Sequence, residues 1–168
     1  YDILNNPLNS VLIHKDFYKT SDFSYTKCIA TPDGWTFVIP NLDSVSYGYL
    51  YNNTITSKQE ASNNFKNLFD AEVDFDLSFN NYVAKSMWVD NRIILNGNRY
   101  SFLEPLEATS TGLYHRVAQH AWDTIFCGRR QNESNRNMRQ TVKQIETFIL
   151  WHYQFGSIYD TPFWEYAK

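Results

Sequence analysis

The chain has 168 residues, of which 43% are hydrophobic and 17% aromatic, and a formal net charge of −3. That length suits one domain with a real core, the apolar share argues against disorder, and the acidic balance argues against a nucleic-acid partner. The two cysteines, Cys28 and Cys127, have no metal-type spacing and suit a reducing, cytoplasmic compartment, while no apolar run nears the roughly 18 residues of a membrane span.

The first residue is Tyr1, not Met, so a piece of a longer or processed polypeptide is expected. Asn5-Asn6-Pro7 marks a turn, and residues 10–14 read as a strand in which His14 is an ordinary member. Residues 25–30 and 35–40 flank Pro32-Asp33-Gly34 and read as an antiparallel pair. Residues 46–51 alternate aromatic with small side chains and are expected to pair alongside. Ser57-Lys58-Gln59-Glu60 is a capping box ahead of Ala61, Phe65, Leu68 and Phe69 on one helical face. The acidic patch over 70–76 reads as a solvated turn. Strand character returns over 82–88, with Lys85 as a strand-edge lysine.

Arg92-Ile93-Ile94-Leu95 is a short apolar strand, and residues 98–112 join it to an amphipathic helix through Val117, Ala121 and Ile125 that Gly128 stops. A strand that feeds a helix start through a turn leaves unpaired N–H groups in front of the positive end of the helix dipole, which is a site for an anion. Glu107 falls where that positive end favours a carboxylate, and Thr109 and Ser110 offer hydroxyls and amides beside it. On spacing alone the same residues also read as a cap, with Pro105 at the first helical position and Glu107 folded back onto the chain entry. His115 and His120 are off the i, i+4 register that places two ligands side by side, so no metal site is expected. Arg129, Arg130, Arg136 and Arg139 read as part of a solvated inter-helix loop. A second helix opens near Ser134 or Asn135 and runs through Met138, Val142, Ile145, Phe148 and Ile149 to Trp151-His152-Tyr153, where His152 reads as a packing or capping residue. Asp160-Thr161-Pro162 starts a third. The fold class is α+β, an antiparallel sheet followed by long amphipathic helices. One fragment spans 1–168, with a sheet-rich part and one helix over about 1–90 and the strand-to-helix loop and helical part over about 91–168.

Phe102-Leu103-Glu104-Pro105-Leu106-Glu107-Ala108-Thr109-Ser110 closely resembles the flavin-dependent halogenase family of the tryptophan halogenase type, in which a Leu-Glu-Ser/Ala-Thr-Gly/Ser segment carries the catalytic Glu and the halide site. Gly34-Trp35-Thr36-Phe37-Val38-Ile39-Pro40 is similar to the family's Trp-x-Trp-x-Ile-Pro, followed by Gly48-Tyr49-Leu50-Tyr51, with Phe37 in place of the second Trp. Trp88-Val89-Asp90-Asn91, Asn135-Arg136-Asn137-Met138, Phe148-Ile149-Leu150-Trp151-His152-Tyr153 and Asp160-Thr161-Pro162-Phe163-Trp164 extend the resemblance in the same order. It implies a parent of α/β flavin monooxygenase-like fold that uses FAD, supplied as FADH2 by a separate flavin reductase. A flavin hydroperoxide would oxidise a halide ion, and the product would halogenate an electron-rich, indole-like substrate.

The resemblance also implies roles by position. Glu107 would be the catalytic carboxylate, Thr109 and Ser110 would hold the halide, Gly97, Asn98 and Pro105 would lie against the flavin, and Trp35, Phe37, Ile39 and Pro40 would form a flavin-proximal motif. Phe37, and Asn98 where related hydroxylases have Asp, depart from the pattern and leave room for a flavin monooxygenase or a non-halogenating relative. The Gly-x-Gly-x-x-Gly turn for the FAD pyrophosphate is not in the sequence, and the family's active-site lysine matches no segment, so the isolated fragment is expected to be inactive. An aromatic-rich, non-enzymatic binding module is the rival from another class. It needs exposed Trp and Tyr on a strand face, whereas most aromatics here fall at core positions.

Overall fold

Turn chemistry sets the register of the main sheet. Pro32 and Asp33 link two extended runs so that Thr31 faces Gly34 across the ladder, and at Gly34 (φ +154°) a Cβ would lie 2.3 Å from the Leu50 carbonyl oxygen. The structure, a computed structural model, describes residues 1–17, 20–155 and 157–168. Its strands are β1 (Asp2–Ile3), β2 (Ser10–Phe17), β3 (Lys27–Thr31), β4 (Gly34–Pro40), β5 (Ser44–Tyr51), β6 (Phe75–Ser78), β7 (Tyr82–Val83), β8 (Trp88–Val89), β9 (Ile93–Ile94) and β10 (Ser101–Phe102). The helices are α1 (Lys58–Phe69), α2 (Thr109–Phe126), α3 (Gln131–Phe155) and α4 (Pro162–Ala167), with 3-10 turns at Gly97–Arg99 and Leu106–Ala108. Two compact units result: a sheet unit of Pro7–Phe79 with Tyr153–Lys168, and a helical unit of Tyr1–Asn6 with Asn80–His152.

In the sheet unit the antiparallel strands run in the order β3-β4-β5-β2-β6. Alternation puts Leu12, Val38, Val45, Tyr47, Tyr49 and Tyr51 into one core, which α1 seals with Ala61 and Phe65. Ser57 caps α1 by accepting the Glu60 N–H at 3.2 Å, as the capping box predicts. Leu68, expected on the buried face, is half-exposed. The buried Asp33 carboxylate accepts from Tyr49 Oη (2.6 Å), Asn64 Nδ2 (2.7 Å) and Thr56 Oγ1 (3.1 Å), tying the hairpin turn to β5 and α1. Burial first, then Asp33, pushes the Tyr49 hydroxyl far above the usual tyrosine range. Thr161 caps α4 and its hydroxyl also donates to the Pro32 carbonyl at 2.7 Å, while Trp164 Nε1 donates to the Thr31 carbonyl at 2.8 Å.

The acidic patch is a turn only at its start. Phe75–Ser78 adds an edge strand to β2, with Asp74 accepting the Lys15 N–H at 2.8 Å and Asp76 ion-paired to Lys58. The alternation of Asp74 and Asp76 with Phe75 and Leu77 has the strand period, which the charge of the run obscures.

In the helical unit β1, β7 and β10 form a small antiparallel sheet, and β8 and β9 form a hairpin. Lys85 lies exposed between β7 and β8, not in a strand. Helix α2 buries Leu113, Val117 and Ala121 but leaves Trp122, Ile125 and Phe126 exposed, although all share helical spacing. Helix α3 begins at Gln131, earlier than expected, because the Arg130 carbonyl already accepts the Glu133 and Ser134 N–H groups, each at 3.1 Å. The arginine cluster is not simply a solvated loop. Arg129 pairs with Asp123 at 2.8 Å and donates to His120 Nδ1 at 2.9 Å, and Arg139 pairs with Asp2 at 2.7 Å. Burial, then the Arg129 charge, holds the His120 imidazole below its ordinary pKa. No helix among the described residues is long and apolar enough to cross a membrane.

Candidate functional site

The site region of the helical unit starts where Asn96 caps a 3-10 turn, its Oδ1 accepting the Gly97 N–H at 2.8 Å. Gly97 takes φ +58°, and a Cβ there would meet nothing within 4 Å, so its flank is open. Asn98 is exposed. Its Oδ1 accepts from Tyr114 Oη at 2.7 Å and its carbonyl accepts from Tyr82 Oη, so the side-chain amino group is its available donor.

From Tyr100 to Glu104 the chain is anchored. Tyr100, Ser101, Leu103 and Glu104 are buried, and Asn81 Oδ1 accepts the Glu104 N–H at 2.7 Å. Burial pushes the Tyr100 hydroxyl up to about 12. The path then bends sharply. Pro105 is exposed, its carbonyl accepts the Ala108 N–H at 3.1 Å, and Leu106 packs inward. Glu107 and Ala108 both enter the left-handed region, at φ +60° and +50°. Each costs a non-glycine residue about 1–2 kcal/mol.

That bend overturns the capping reading. A capping box needs its Glu three residues after the cap, whereas Glu107 precedes the cap residue, which is Ala108 and has no side chain to offer. Pro105 precedes a 3-10 turn instead of taking the first α-helical position. Helix α2 therefore starts uncapped. Ala108 makes no side-chain cap bond, and Thr109 Oγ1 is shielded from solvent without a partner among the described residues. A left-handed residue followed by a right-handed one turns successive amides toward one concavity, with the helix dipole behind it. The unmet Thr109 hydroxyl is the kind of buried group that calls for a ligand or ion.

Glu107 is half-exposed, 52% of its side chain being accessible, and its Oε1 lies 3.8 Å from His152 Nε2. His152, read from its helix-end setting as a packing or capping residue in preference to an acid/base, has its Nδ1 against the Phe148 carbonyl and also lies beside Glu107, a contact no local pattern shows because α2 and the following turn separate the two. Tyr114 on Asn98 was likewise not legible, because the contact joins α2 back to the turn before it.

Residues 35–40 belong to the sheet unit. Trp35 and Phe37 share a face of β4 with ring centroids 6.2 Å apart, and Ile39 follows on the same side by the strand period. Phe37 faces Gly48 across the ladder, and a Cβ on Gly48 would lie 2.0 Å from Phe37 Cζ, so the ring lies over the glycine. Trp35 is buried and its Nε1 has no partner among the described residues. Pro40 ends β4 beyond Val38, where β3 has already stopped, so its missing N–H costs no ladder bond on that side. No group of three or more His, Cys, Asp or Glu side chains placed to hold a metal occurs among the described residues.

Comparison with known proteins follows the same residues. The tryptophan halogenase family profile matches residues 9–168. The chain is 30% identical to tryptophan 6-halogenase ThaL of Streptomyces albogriseolus over 177 aligned residues, covering 99% of the chain and 33% of ThaL. Against tryptophan 7-halogenase RebH of Lentzea aerocolonigenes identity is 28%, over 86% of the chain and 28% of RebH. Among solved structures, Xcc4156, a flavin-dependent halogenase from Xanthomonas campestris, shares the fold at a TM-score of 0.82 and 22% identity, over 99% of the chain and 35% of Xcc4156. The chain spans about a third of the length of the curated relatives ThaL and KtzQ.

Proposed function

The chain belongs to the tryptophan halogenase family, and from that premise we propose that the whole protein is an FAD-dependent halogenase of flavin monooxygenase-like fold acting on an electron-rich, indole-like aromatic. The observation that carries this reading is the start of α2, which no side chain caps and where the shielded Thr109 hydroxyl has no partner among the described residues. A halide suits such a place, being an anion that takes several donors without offering any. Glu107, on the strained turn next to it, is the carboxylate that orients the halogenating species and accepts the proton lost from the ring.

Gly97 with its open flank, the Asn98 amino group and the exposed Pro105 are the residues that would hold the flavin. When bound, reduced FAD supplies with oxygen the oxidising power that makes halide electrophilic, and a flavin reductase is the partner that keeps it reduced. Trp35, Phe37, Ile39 and Pro40 would shield that chemistry from the organic substrate. The test is the whole protein with a flavin reductase, bromide and indoles, read by mass spectrometry. The wild type is expected to brominate. Glu107→Gln is expected to lose turnover by about 100-fold or more while binding FAD as before. Unchanged bromination in that variant would remove Glu107 from the role. Phe37 in place of Trp favours a second reading, a flavin monooxygenase that does not halogenate, and oxygenated products without brominated ones in the same assay would select it.

A further inference from the structure

His152 and Glu107 are tied by more than proximity. His152 Nδ1 lies 2.9 Å from the Phe148 carbonyl oxygen, an atom that can only accept, so the first ring proton sits on Nδ1. An edge contact with the Phe148 ring, 4.8 Å between centroids at 87°, holds that orientation. Nε2 is thereby left facing Glu107 Oε1 at 3.8 Å. Among the described residues no other charged group lies within ion-pairing distance of either side chain. A bare Nε2 lone pair and a carboxylate repel each other, whereas a ring that also carries a proton on Nε2 attracts the carboxylate across that distance. The backbone of Glu107 is strained, and its side chain is half-exposed with no other partner among the described residues to fix it.

Resting on the halogenase reading above, we infer that His152 is the positioning residue for Glu107, acting through the ion pair that a ring carrying a second proton makes with the carboxylate. The Phe148 carbonyl sets the tautomer, the tautomer aims Nε2, and the ion pair fixes where the carboxylate stands. His152 acts through Glu107.

Two measurements decide it. In the 168-residue chain, nitrogen-15 spectra of the imidazoles are expected to show the neutral His152 ring protonated at Nδ1, with an Nε2 resonance that moves when Glu107 becomes Gln. A proton on Nε2 in the neutral ring, or an Nε2 resonance indifferent to Glu107→Gln, overturns the pair. In the whole protein, the side-chain amide of His152→Gln reaches toward the Nε2 position and should keep turnover within about threefold. That of His152→Asn reaches only the Nδ1 position and should lose about tenfold, at equal thermal midpoints. The reverse order would mark His152 as a helix-capping residue alone and overturn the positioning role. The spectra involve no turnover, so a whole protein that fails to halogenate defeats the reading of the reaction while the pair is still judged on its own signal.

Discussion

Ala108 is the residue on which the site's strain is easiest to measure. Its Cβ stands in a left-handed conformation (φ +50°) directly after Glu107 (φ +60°), and no side chain caps the helix that follows. Ala108→Gly removes the steric cost, so the 168-residue chain should gain about 1 kcal/mol by urea denaturation, less the entropy that glycine adds to the unfolded state. A loss of stability would mean that the turn is not strained as drawn. Thr109 and Ser110 at a helix start were legible because small hydroxyl residues before an apolar 3.6-residue period are a local signal. The left-handed pair just before them was not, since neither Glu nor Ala announces a positive φ as Gly or Asn would. The helix start expected at Pro105 therefore lies at Thr109, and the bend that displaces it is what leaves that start without a side-chain cap.

At the scale of the element, the β4–β5 pair is held by a fit between one ring and one missing side chain. Phe37 lies over Gly48, where a Cβ would come within 2.0 Å of the ring. Gly48→Ala must push the ring outward, at a cost of about 1–3 kcal/mol that should largely vanish in a Phe37→Ala background. A double-mutant cycle in urea measures it, and equal costs in both backgrounds would show that the ring does not rest on the glycine. The hairpin and its third strand were legible from Pro32-Asp33-Gly34 and from period-two aromatics. Strand β6 was hidden by its acidic residues, and the early start of α3 by a polar first turn that carries no apolar period. In each case the missed element is held by backbone pairing or by a neighbouring carbonyl, which side-chain pattern does not encode.

At the scale of the whole molecule, β1 pairs with β7, and the α4 side chains Thr161 and Trp164 bond to the carbonyls of Pro32 and Thr31. Such long-range pairings build both units from separated stretches of chain, and no local pattern reveals them. The flavin question belongs to this scale too. FAD recognition needs its pyrophosphate held by a glycine-rich turn at a helix N-terminus, and the 168 residues contain no Gly-x-Gly-x-x-Gly. The Gly97 flank, the Asn98 amino group and Pro105 could touch only one part of so large a cofactor. Losing the charged centre of the ligand leaves too few contacts to offset the entropy of association. The purified 168-residue chain should therefore carry no flavin absorbance, and tryptophan fluorescence should titrate with FAD no tighter than about 1 mM. Micromolar binding by this chain would mean that residues 97–110 form a self-sufficient flavin site, and the dependence of FAD binding on a glycine-rich turn outside the 168 residues would have to be abandoned.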